Sequence, residues 1–267
     1  GTQMQFQKAH LKPGKLHRIF ISHFHGDHFY GLIGFLTSLQ MAGREKSLYL
    51  YGPIGLRKYL KFMQNLSHFK LAYEVVVQEV QESDKQTVWD LGDYLVTALP
   101  LQHSLFVLGF RLAEKPRPGK FNVEQAEKIG IPAGPLRGQL QKGESVVLHN
   151  GKEVHPSQLL GPEQPGKTIV ICLDTRPCKN AVELANAADL LVHDGTFDES
   201  QADWADVTGH STVVQAATIA KEAGVKKLIL SHISARYEKK DKEFLLAQAK
   251  KVFPNTIIGH DLMRIKV

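Results

Sequence analysis

Apolar residues in this chain fall into short continuous runs that alternate with amphipathic stretches, and this alternation predicts an α/β fold. The runs are rich in β-branched residues and indicate strands at 18–22, 48–51, 73–80, 94–99, 107–112, 168–173, 190–194, 227–230 and 256–267. Helical periodicity is found between them, at 2–9, 29–41, 56–65, 181–188, 213–223 and 243–252. Several of the strands end in polar residues, and open α/β sheets build their sites at the carboxyl ends of strands.

Residues 114–166 break this pattern. Pro and Gly interrupt the segment with turns at 115–120, 131–135 and 162–166. Only a short helix at 123–128 and a strand at 145–149 are predicted within it. Because it has too few large apolar residues for a core of its own, we interpret it as an arm inserted into a single domain of residues 1–267.

Positive charge concentrates in this arm. The chain carries a net charge of +6 and a pI near 9.2, and residues 111–152 hold eight Lys or Arg against four Glu, which is +4 of the +6. Basic groups on a Pro- and Gly-rich projection suit phosphate positioning better than base reading. The alternative is a solvated charged loop. We expect the arm to contact the phosphates of an anionic partner through basic side chains that include Lys115, Arg117, Lys120 and Arg137.

Composition also bears on the cellular compartment in which we expect the protein. No apolar run approaches the ~20 residues that a membrane-crossing helix needs, and no secretory leader is visible. The only cysteines are Cys172 and Cys178, so a disulfide framework is not expected and a reducing compartment fits. We therefore expect a cytoplasmic protein without a membrane partner.

Potential metal-binding side chains are most concentrated just after the first predicted strand, where the chain reads His-Phe-His-Gly-Asp-His. Side chains at alternate positions of an extended loop share a face, so His23 and His25 can converge on one ion. Gly26 can turn the backbone sharply, which lets Asp27 and His28 face a second ion. Imidazole and carboxylate groups without thiolates suit zinc or a similar divalent metal. The motif resembles the signature of the metallo-β-lactamase superfamily, whose core is a four-layer αββα sandwich.

Three later strands also deliver metal-binding residue types, namely His103, Asp174 and His232. His23 and His25 do not complete a zinc site by themselves, so we add these three residues to the candidate set. If Asp174 bridges, seven side chains provide four contacts to each of two ions. One ion would be held by His23, His25, His103 and Asp174, and the other by Asp27, His28, Asp174 and His232. Two such metals suit an in-line phosphoryl displacement.

His210 is not one of these seven candidate ligands. It precedes a predicted helix, where it could simply pack or form a hydrogen bond. It could also act as a general acid near a leaving oxygen, since imidazole titrates near neutral pH. Asp194, at the end of another strand, could hold its ring. The residues alone leave both interpretations open.

Within the superfamily, the chain resembles the ribonuclease Z family over its whole length. The resemblance rests on residues 20–32, 51–53, 209–212 and 231–237 together with the arm stretches 115–120 and 131–135. It implies a zinc-dependent endoribonuclease with two Zn²⁺ per subunit, or other divalent metals, that removes the 3′ trailer from precursor tRNA. Metal-activated water would leave a tRNA 3′-hydroxyl and a trailer 5′-phosphate. The resemblance also implies a homodimer and a flexible arm, the exosite, that grips the tRNA elbow away from the cut.

The resemblance further implies roles for individual residues. Asp27 would be both ligand and proton acceptor for the attacking water, and His210, paired with Asp194, would protonate the leaving ribose 3′-oxygen. Arg236 would contact a phosphate, although a surface ion pair is the alternative. Residues 193–196 read His-Asp-Gly-Thr where the family has His-Glu-Ala-Thr, so the acid is one methylene shorter. Family members also carry first strands and an Asp-Cys-Gly-Glu-like turn upstream, and we expect that segment to be missing here.

Two other functions compete with this one. The first is hydrolysis of small phosphodiesters, thioesters or lactams on the same core. The basic arm argues against it, because a small substrate does not need a distant binding element. The second is a catalytically silent RNA-binding homologue, against which the complete ligand set argues.

Overall fold

The computed structural model describes residues 1–267 and realises the alternating pattern as twelve strands and ten α-helices. The strands are β1 (Arg18–Phe20), β2 (Leu48–Pro53), β3 (Val75–Val80), β4 (Thr87–Asp90), β5 (Tyr94–Pro100), β6 (Leu108–Glu114), β7 (Val146–Val147), β8 (Glu153–Val154), β9 (Thr168–Cys172), β10 (Leu190–Asp194), β11 (Leu228–Ser231) and β12 (Thr256–Ile258). The helices are α1 (Thr2–Lys8), α2 (Gly26–Phe29), α3 (Gly31–Met41), α4 (Leu56–Leu66), α5 (Val123–Ile129), α6 (Pro135–Gln141), α7 (Lys179–Ala185), α8 (Ala202–Thr208), α9 (Val213–Glu222) and α10 (Asp241–Val252).

The chain divides into two units. The first, which we call the core unit, comprises Gly1–Leu91, Leu95–Leu112 and Thr168–Val267, and the second, which we call the arm, comprises Gly92–Tyr94 and Ala113–Lys167. None of the helices combines the length and the apolar character that crossing a membrane requires.

Two sheets dominate the core unit. Strands β1, β2 and β3 form a parallel three-stranded sheet in that order, and seven strands form the second sheet in the order β12-β11-β10-β9-β6-β5-β4. In the second sheet β9, β10, β11 and β12 are parallel. The carboxyl ends of these four strands therefore meet at one edge, where ligands bind in open α/β sheets.

Three apolar layers hold these elements together. One packs helices α3 and α4 on the small sheet, with Leu36 and Leu50 almost fully buried. Another packs α7, α9 and α10 on the large sheet around Leu191. Between the two sheets, Phe20 of β1 lies against Phe110 of β6 with ring centroids 5.4 Å apart. Helices, sheet, sheet and helices thus follow one another, which confirms the predicted αββα fold class.

The arm begins as an antiparallel ribbon in which Arg117 pairs with Gln164. The two strands of the ribbon come so close that a Cβ at Gly119 would lie 2.0 Å from the carbonyl oxygen of Gly161. Only glycine permits that approach. The ribbon therefore depends on the Pro- and Gly-rich composition that marks it in the sequence.

Beyond the ribbon, the arm has a small core of its own. Helices α5 and α6 and the β7–β8 hairpin bury Ala126, Ile131, Leu140, Val146, Val154 and Leu159. Our expectation that the arm lacks enough apolar residues for a core was wrong. These aliphatic residues are spread thinly along the sequence, and only the fold brings them together.

Several element bounds also differ from the sequence-based expectation. The helix expected over 29–41 is α3, and a short helix that was not expected, α2, precedes it and carries Asp27 and His28. The last strand ends at Ile258 instead of Val267, because the chain turns at 260–263 with Leu262 in the left-handed region at φ 64°. The arm strand expected at 145–149 shrinks to Val146–Val147. Strand β4 and helices α6 and α8 were not expected at all.

Candidate metal centre

The fold brings all seven candidate metal ligands together in the core unit, five of them in loops just beyond strands and two, Asp27 and His28, in helix α2. Ligand atoms of His23, His25, His103 and Asp174 lie within 4.8 Å of one another. Those of Asp27, His28 and His232 form a second group of the same kind. These are the two sets that the sequence indicates, apart from the shared aspartate.

Asp174 joins the two groups. Its Oδ2 lies 3.5 Å from Nε2 of His23 in the first group, and 3.1 Å and 3.4 Å from Nε2 of His28 and His232 in the second. The side chain is buried, with 3% of its surface exposed. Its position is therefore the one that a bridging carboxylate requires.

The donor atoms fit metal ions better than they fit one another. The Nε2 of His23 and the Oδ1 of Asp174 are buried without a hydrogen-bond partner, which is costly unless another group satisfies them. Ring nitrogens also face each other, with His25 Nδ1 at 3.0 Å from His103 Nε2. A cation among these lone pairs would satisfy all of them at once, and nitrogen and carboxylate oxygen donors suit zinc-type ions.

In three of these histidines, the Nδ1 ring nitrogen already has a hydrogen-bond partner. Hydrogen bonds join Nδ1 of His23 to Ser22 Oγ at 2.9 Å, Nδ1 of His103 to the Gly209 carbonyl at 2.7 Å, and Nδ1 of His232 to Thr196 Oγ1 at 3.0 Å. Such outer partners fix the ring orientation and leave Nε2 as the ligand nitrogen. The centre is therefore pre-organised by residues around it.

Two of the candidate ligands sit on strained backbone. Asp174 and His232 have φ values of 53° and 58°, in the left-handed region that residues other than glycine seldom adopt. Strain of this kind persists only where the surrounding structure enforces it, and it clusters at functional sites. Asp174 lies two residues beyond β9 and His232 one residue beyond β11, so the turns after these parallel strands direct both side chains toward the centre.

His210 lies beside the centre and is held by Asp194. Its Nδ1 is 2.8 Å from Oδ2 of Asp194, whose side chain is fully buried. Its ring stacks on His232, with centroids 5.1 Å apart and 16° between the planes. The structure thus contains the His210–Asp194 contact that the sequence suggested, and a role of His210 in the reaction stays a prediction.

The surroundings of Asp174 and His210 shift the pKa values of these two side chains in opposite directions. Burial alone would raise the pKa of Asp174, but the neighbouring His23, His28 and His232 rings outweigh it and hold that pKa well below its usual range. Burial lowers the pKa of His210, whereas its hydrogen bond to Asp194 raises it, and the net shift is upward. Asp174 thus stays an anion while His210 retains a proton more readily than an exposed histidine.

Comparison with known proteins places this geometry in a family. Residues 1–115 match the family model described as the metallo-β-lactamase superfamily. Ribonuclease Z of Methanosarcina acetivorans is 44% identical over 267 residues, which cover 100% of this chain and 86% of that protein. Ribonuclease Z of Synechococcus sp. is 41% identical over 272 residues, with the same two coverages. The chain belongs to the ribonuclease Z family.

A solved structure agrees with this assignment. The short form of human tRNase Z superposes with a TM-score of 0.70 at 28% identity, and the match covers 100% of this chain and 85% of that one. The ribonuclease Z and metallo-β-lactamase resemblance indicated by the motifs is therefore confirmed. The shorter acid that replaces the family's glutamate, Asp194, still reaches His210, so this departure leaves the contact intact.

The basic residues expected to contact RNA differ in their surroundings. The Arg236 guanidinium lies over the Phe197 ring at 4.8 Å, and its Nε is 3.3 Å from Ser234 Oγ. In the arm, Lys120 is exposed. Arg137, by contrast, has a side chain only 15% exposed and donates two hydrogen bonds to the Ile131 carbonyl, at 3.0 Å and 2.7 Å.

The other two candidate cations of the arm, Arg117 and Lys115, differ in exposure. Arg117 Nη2 lies 3.3 Å from Glu114 Oε1, although the arginine side chain is 67% exposed. Lys115 is half-buried, and its backbone N–H donates to Asp93. Phosphate binding by the arm residues remains a prediction, and Arg137 has a structural role that the sequence did not reveal.

Sequence analysis missed Thr196 and Gly209, which support the centre from outside. The signal for Thr196 was its position two residues after Asp194. The sequence signal for Gly209 was its position directly before His210. The structure shows why glycine is needed there, since a Cβ would lie 2.6 Å from His103 Nδ1.

Proposed function

We propose that this protein is a tRNA 3′-processing endonuclease that cuts the trailer from precursor tRNA. The observation that carries the proposal is the Asp194–His210 pair placed beside a cluster of metal-ligating side chains. The ribonuclease Z relatives and the human tRNase Z structure supply the substrate class. A hydrolase of small phosphodiesters or thioesters would make no use of the basic arm.

Two zinc ions, or other divalent ions, would be held by the seven clustered side chains. His23, His25, His103 and Asp174 would hold the first, and Asp27, His28, Asp174 and His232 the second. When bound, the ions would supply Lewis-acid charge for the anionic phosphodiester and make water acidic enough to lose a proton near neutral pH.

The chain's own carboxylate takes the proton of the attacking water. Asp27 suits this task because its side chain is 72% exposed, unlike the buried Asp174, and its Oδ2 is 3.3 Å from His28 Nε2. The water oxygen bonds to phosphorus, and the bond from phosphorus to the ribose 3′-oxygen breaks. The phosphate therefore stays on the trailer.

His210 completes the reaction at the leaving group. Its Nδ1 is occupied by Asp194, so Nε2 is the nitrogen that can give a proton to the departing 3′-oxygen. The buried Asp194 carboxylate stabilises the protonated ring before transfer and fixes its orientation. The products are a tRNA 3′-hydroxyl and a trailer 5′-phosphate.

The arm would supply affinity for tRNA rather than chemistry. Its exposed cations, among them Lys120 and Arg117, suit the phosphates of a folded RNA. We retain the expectation of a homodimer and of a single domain with an inserted arm as predictions. The two free thiols, Cys172 and Cys178, support placement in the reducing cytoplasm.

End-group mapping tests the proposal. A precursor tRNA labelled at either end is incubated with the zinc-loaded protein, and both fragments are sequenced at the new ends. We expect one cut at the 3′ side of the tRNA, with a 3′-hydroxyl on the tRNA and a 5′-phosphate on the trailer. A 3′-phosphate or cyclic phosphate, or binding without cleavage, would contradict the proposal.

A further inference from the structure

Thr196 connects the two halves of the candidate site. Its side-chain oxygen lies 2.6 Å from Oδ1 of Asp194 and 3.0 Å from Nδ1 of His232. The residue is 5% exposed, so water does not compete for these contacts. One hydroxyl thus touches both the partner of the proton donor and a candidate metal ligand.

The direction of both hydrogen bonds follows from Asp194. Its Oδ1 accepts the backbone N–H of Thr196 at 2.9 Å, and its Oδ2 accepts that of Thr175 at 3.0 Å. Because a carboxylate only accepts, the Thr196 hydroxyl must donate its single proton to Oδ1. The hydroxyl oxygen is then left to accept from Nδ1–H of His232.

This polarity sets the tautomer of His232. With the proton on Nδ1, the lone pair is on Nε2, the atom that lies 3.4 Å from Oδ2 of Asp174 and 4.0 Å from Oδ2 of Asp27. The opposite tautomer would place a proton between these groups, where a cation is expected. Thr196 therefore favours the form of His232 that can bind a metal.

The same hydroxyl restrains the proton donor. Asp194 receives four hydrogen bonds, from Thr175 N, Thr196 N, Thr196 Oγ1 and His210 Nδ1. The Thr196 hydroxyl donates the shortest of them. Since the rings of His210 and His232 also stack, movement of the carboxylate would shift both rings relative to each other.

We infer that Thr196 is a positioning residue that ties the metal affinity of His232 to the orientation of the Asp194–His210 pair. The inference rests on the proposed function, because it assigns His232 to a metal and His210 to proton donation. A merely structural threonine would contribute only its methyl group and its volume. Substitutions that separate the hydroxyl from the volume therefore decide between the two roles.

The matched variants are Thr196→Val, which keeps the branched shape without the hydroxyl, and Thr196→Ser, which keeps the hydroxyl without the methyl group. Zinc affinity is measured by competition with a chelator on full-length protein. We expect Thr196→Val to weaken retention of one zinc by about 10–100-fold and Thr196→Ser by less than about threefold. Equal losses in the two variants, or none in either, would overturn the inference.

A measurement on the unmodified protein keeps the test independent of how the variants fold. Long-range ¹H–¹⁵N correlation spectra of the zinc-loaded protein report which nitrogen of His232 carries hydrogen. We expect Nδ1–H, and a His232 protonated at Nε2 would overturn the inference. Folded protein that retains no stoichiometric zinc after incubation with excess zinc and dialysis would instead overturn the proposed function.

Kinetic measurements test whether Thr196 also acts through the Asp194–His210 pair. Thr196→Val should lower kcat for precursor tRNA at least tenfold at saturating zinc while KM stays within about twofold, because the loss concerns the proton donor only. In a His210→Ala background the same substitution should cost much less, as expected for residues that act as a unit. Additive losses in the double variant would show that Thr196 does not act through His210.

Discussion

The Nδ1 of His210 lies 2.8 Å from Oδ2 of Asp194, a carboxylate that is completely buried and also accepts two backbone N–H groups. This arrangement fixes the orientation of the imidazole and raises its pKa against the opposing effect of burial. A histidine so held, next to a cluster of metal-ligating groups, is equipped to give a proton to a leaving oxygen. The loss of this one ring should therefore separate catalysis from binding.

Replacing His210 with alanine should lower kcat for precursor tRNA by about 10²–10⁴-fold, the usual contribution of a general acid. The dissociation constant for tRNA should change little, because the residue contributes to the transition state and not to the grip on the substrate. Single-turnover cleavage and filter binding measure the two quantities separately. An equal loss of both would show that His210 binds substrate instead.

Replacing Gly209 with alanine should remove metal while leaving the fold intact. The residue has φ 82°, and a Cβ would lie 2.6 Å from Nδ1 of His103, whose hydrogen bond to the Gly209 carbonyl orients the ring. Zinc content after dialysis should fall by one ion per chain. Gly224→Ala is a matched control, since it also has positive φ but a Cβ there meets nothing within 4 Å.

Removing the head of the arm should abolish tRNA binding and spare the chemistry. The structure indicates replacement of residues 120–160 by a short glycine-rich turn, since this cuts through the ribbon beyond the Arg117–Gln164 pair. Removal of 115–140 alone would strip one ribbon strand and delete Ala126, Ile131 and Leu140 from the small apolar core of the arm. Hydrolysis of a small chromogenic phosphodiester should persist, and its loss would mean that the arm does more than bind.

Lys120 and Arg137 should affect tRNA binding in different ways. Lys120 is exposed, so Lys120→Ala should remove one ion pair with a phosphate and flatten the slope of log affinity against log salt by about 0.7–0.9. Arg137 bonds to the Ile131 carbonyl, so Arg137→Ala should loosen the arm and leave that slope unchanged. Binding titrations at several salt concentrations measure both. A slope change for Arg137→Ala would restore it as a phosphate ligand.

His23, His103, Asp174 and His232 could be recognised from sequence because each lies just beyond an apolar run. Residues at the carboxyl ends of parallel strands in one sheet converge whatever the connections between them, so Asp174 and His232 meet without any need to foresee loops. His23 follows β1 of the other sheet and joins them only because the two sheets pack face to face. The alternation of runs predicts an α/β fold, and the resemblance to the metallo-β-lactamase superfamily implies its αββα layers.

What could not be predicted depends on contacts between distant residues. The arm's core joins Ala126 to Leu159, and nothing in the local pattern indicates that pairing. Helix α6 was missed because Pro135 was assigned to a turn, although proline is favoured at the first position of a helix. The role of Thr196 emerges only when Asp194 and His232, 38 positions apart in sequence, meet at one hydroxyl.

Zinc stoichiometry tests the metal centre most directly. Elemental analysis of dialysed, folded protein should find two zinc ions per chain, and Asp174→Asn should retain fewer, since Asp174 faces ligands of both groups. Circular dichroism verifies that the variant is folded. Folded wild-type protein without stoichiometric metal, or an Asp174→Asn variant that holds two ions as tightly as wild type, would contradict the assignment.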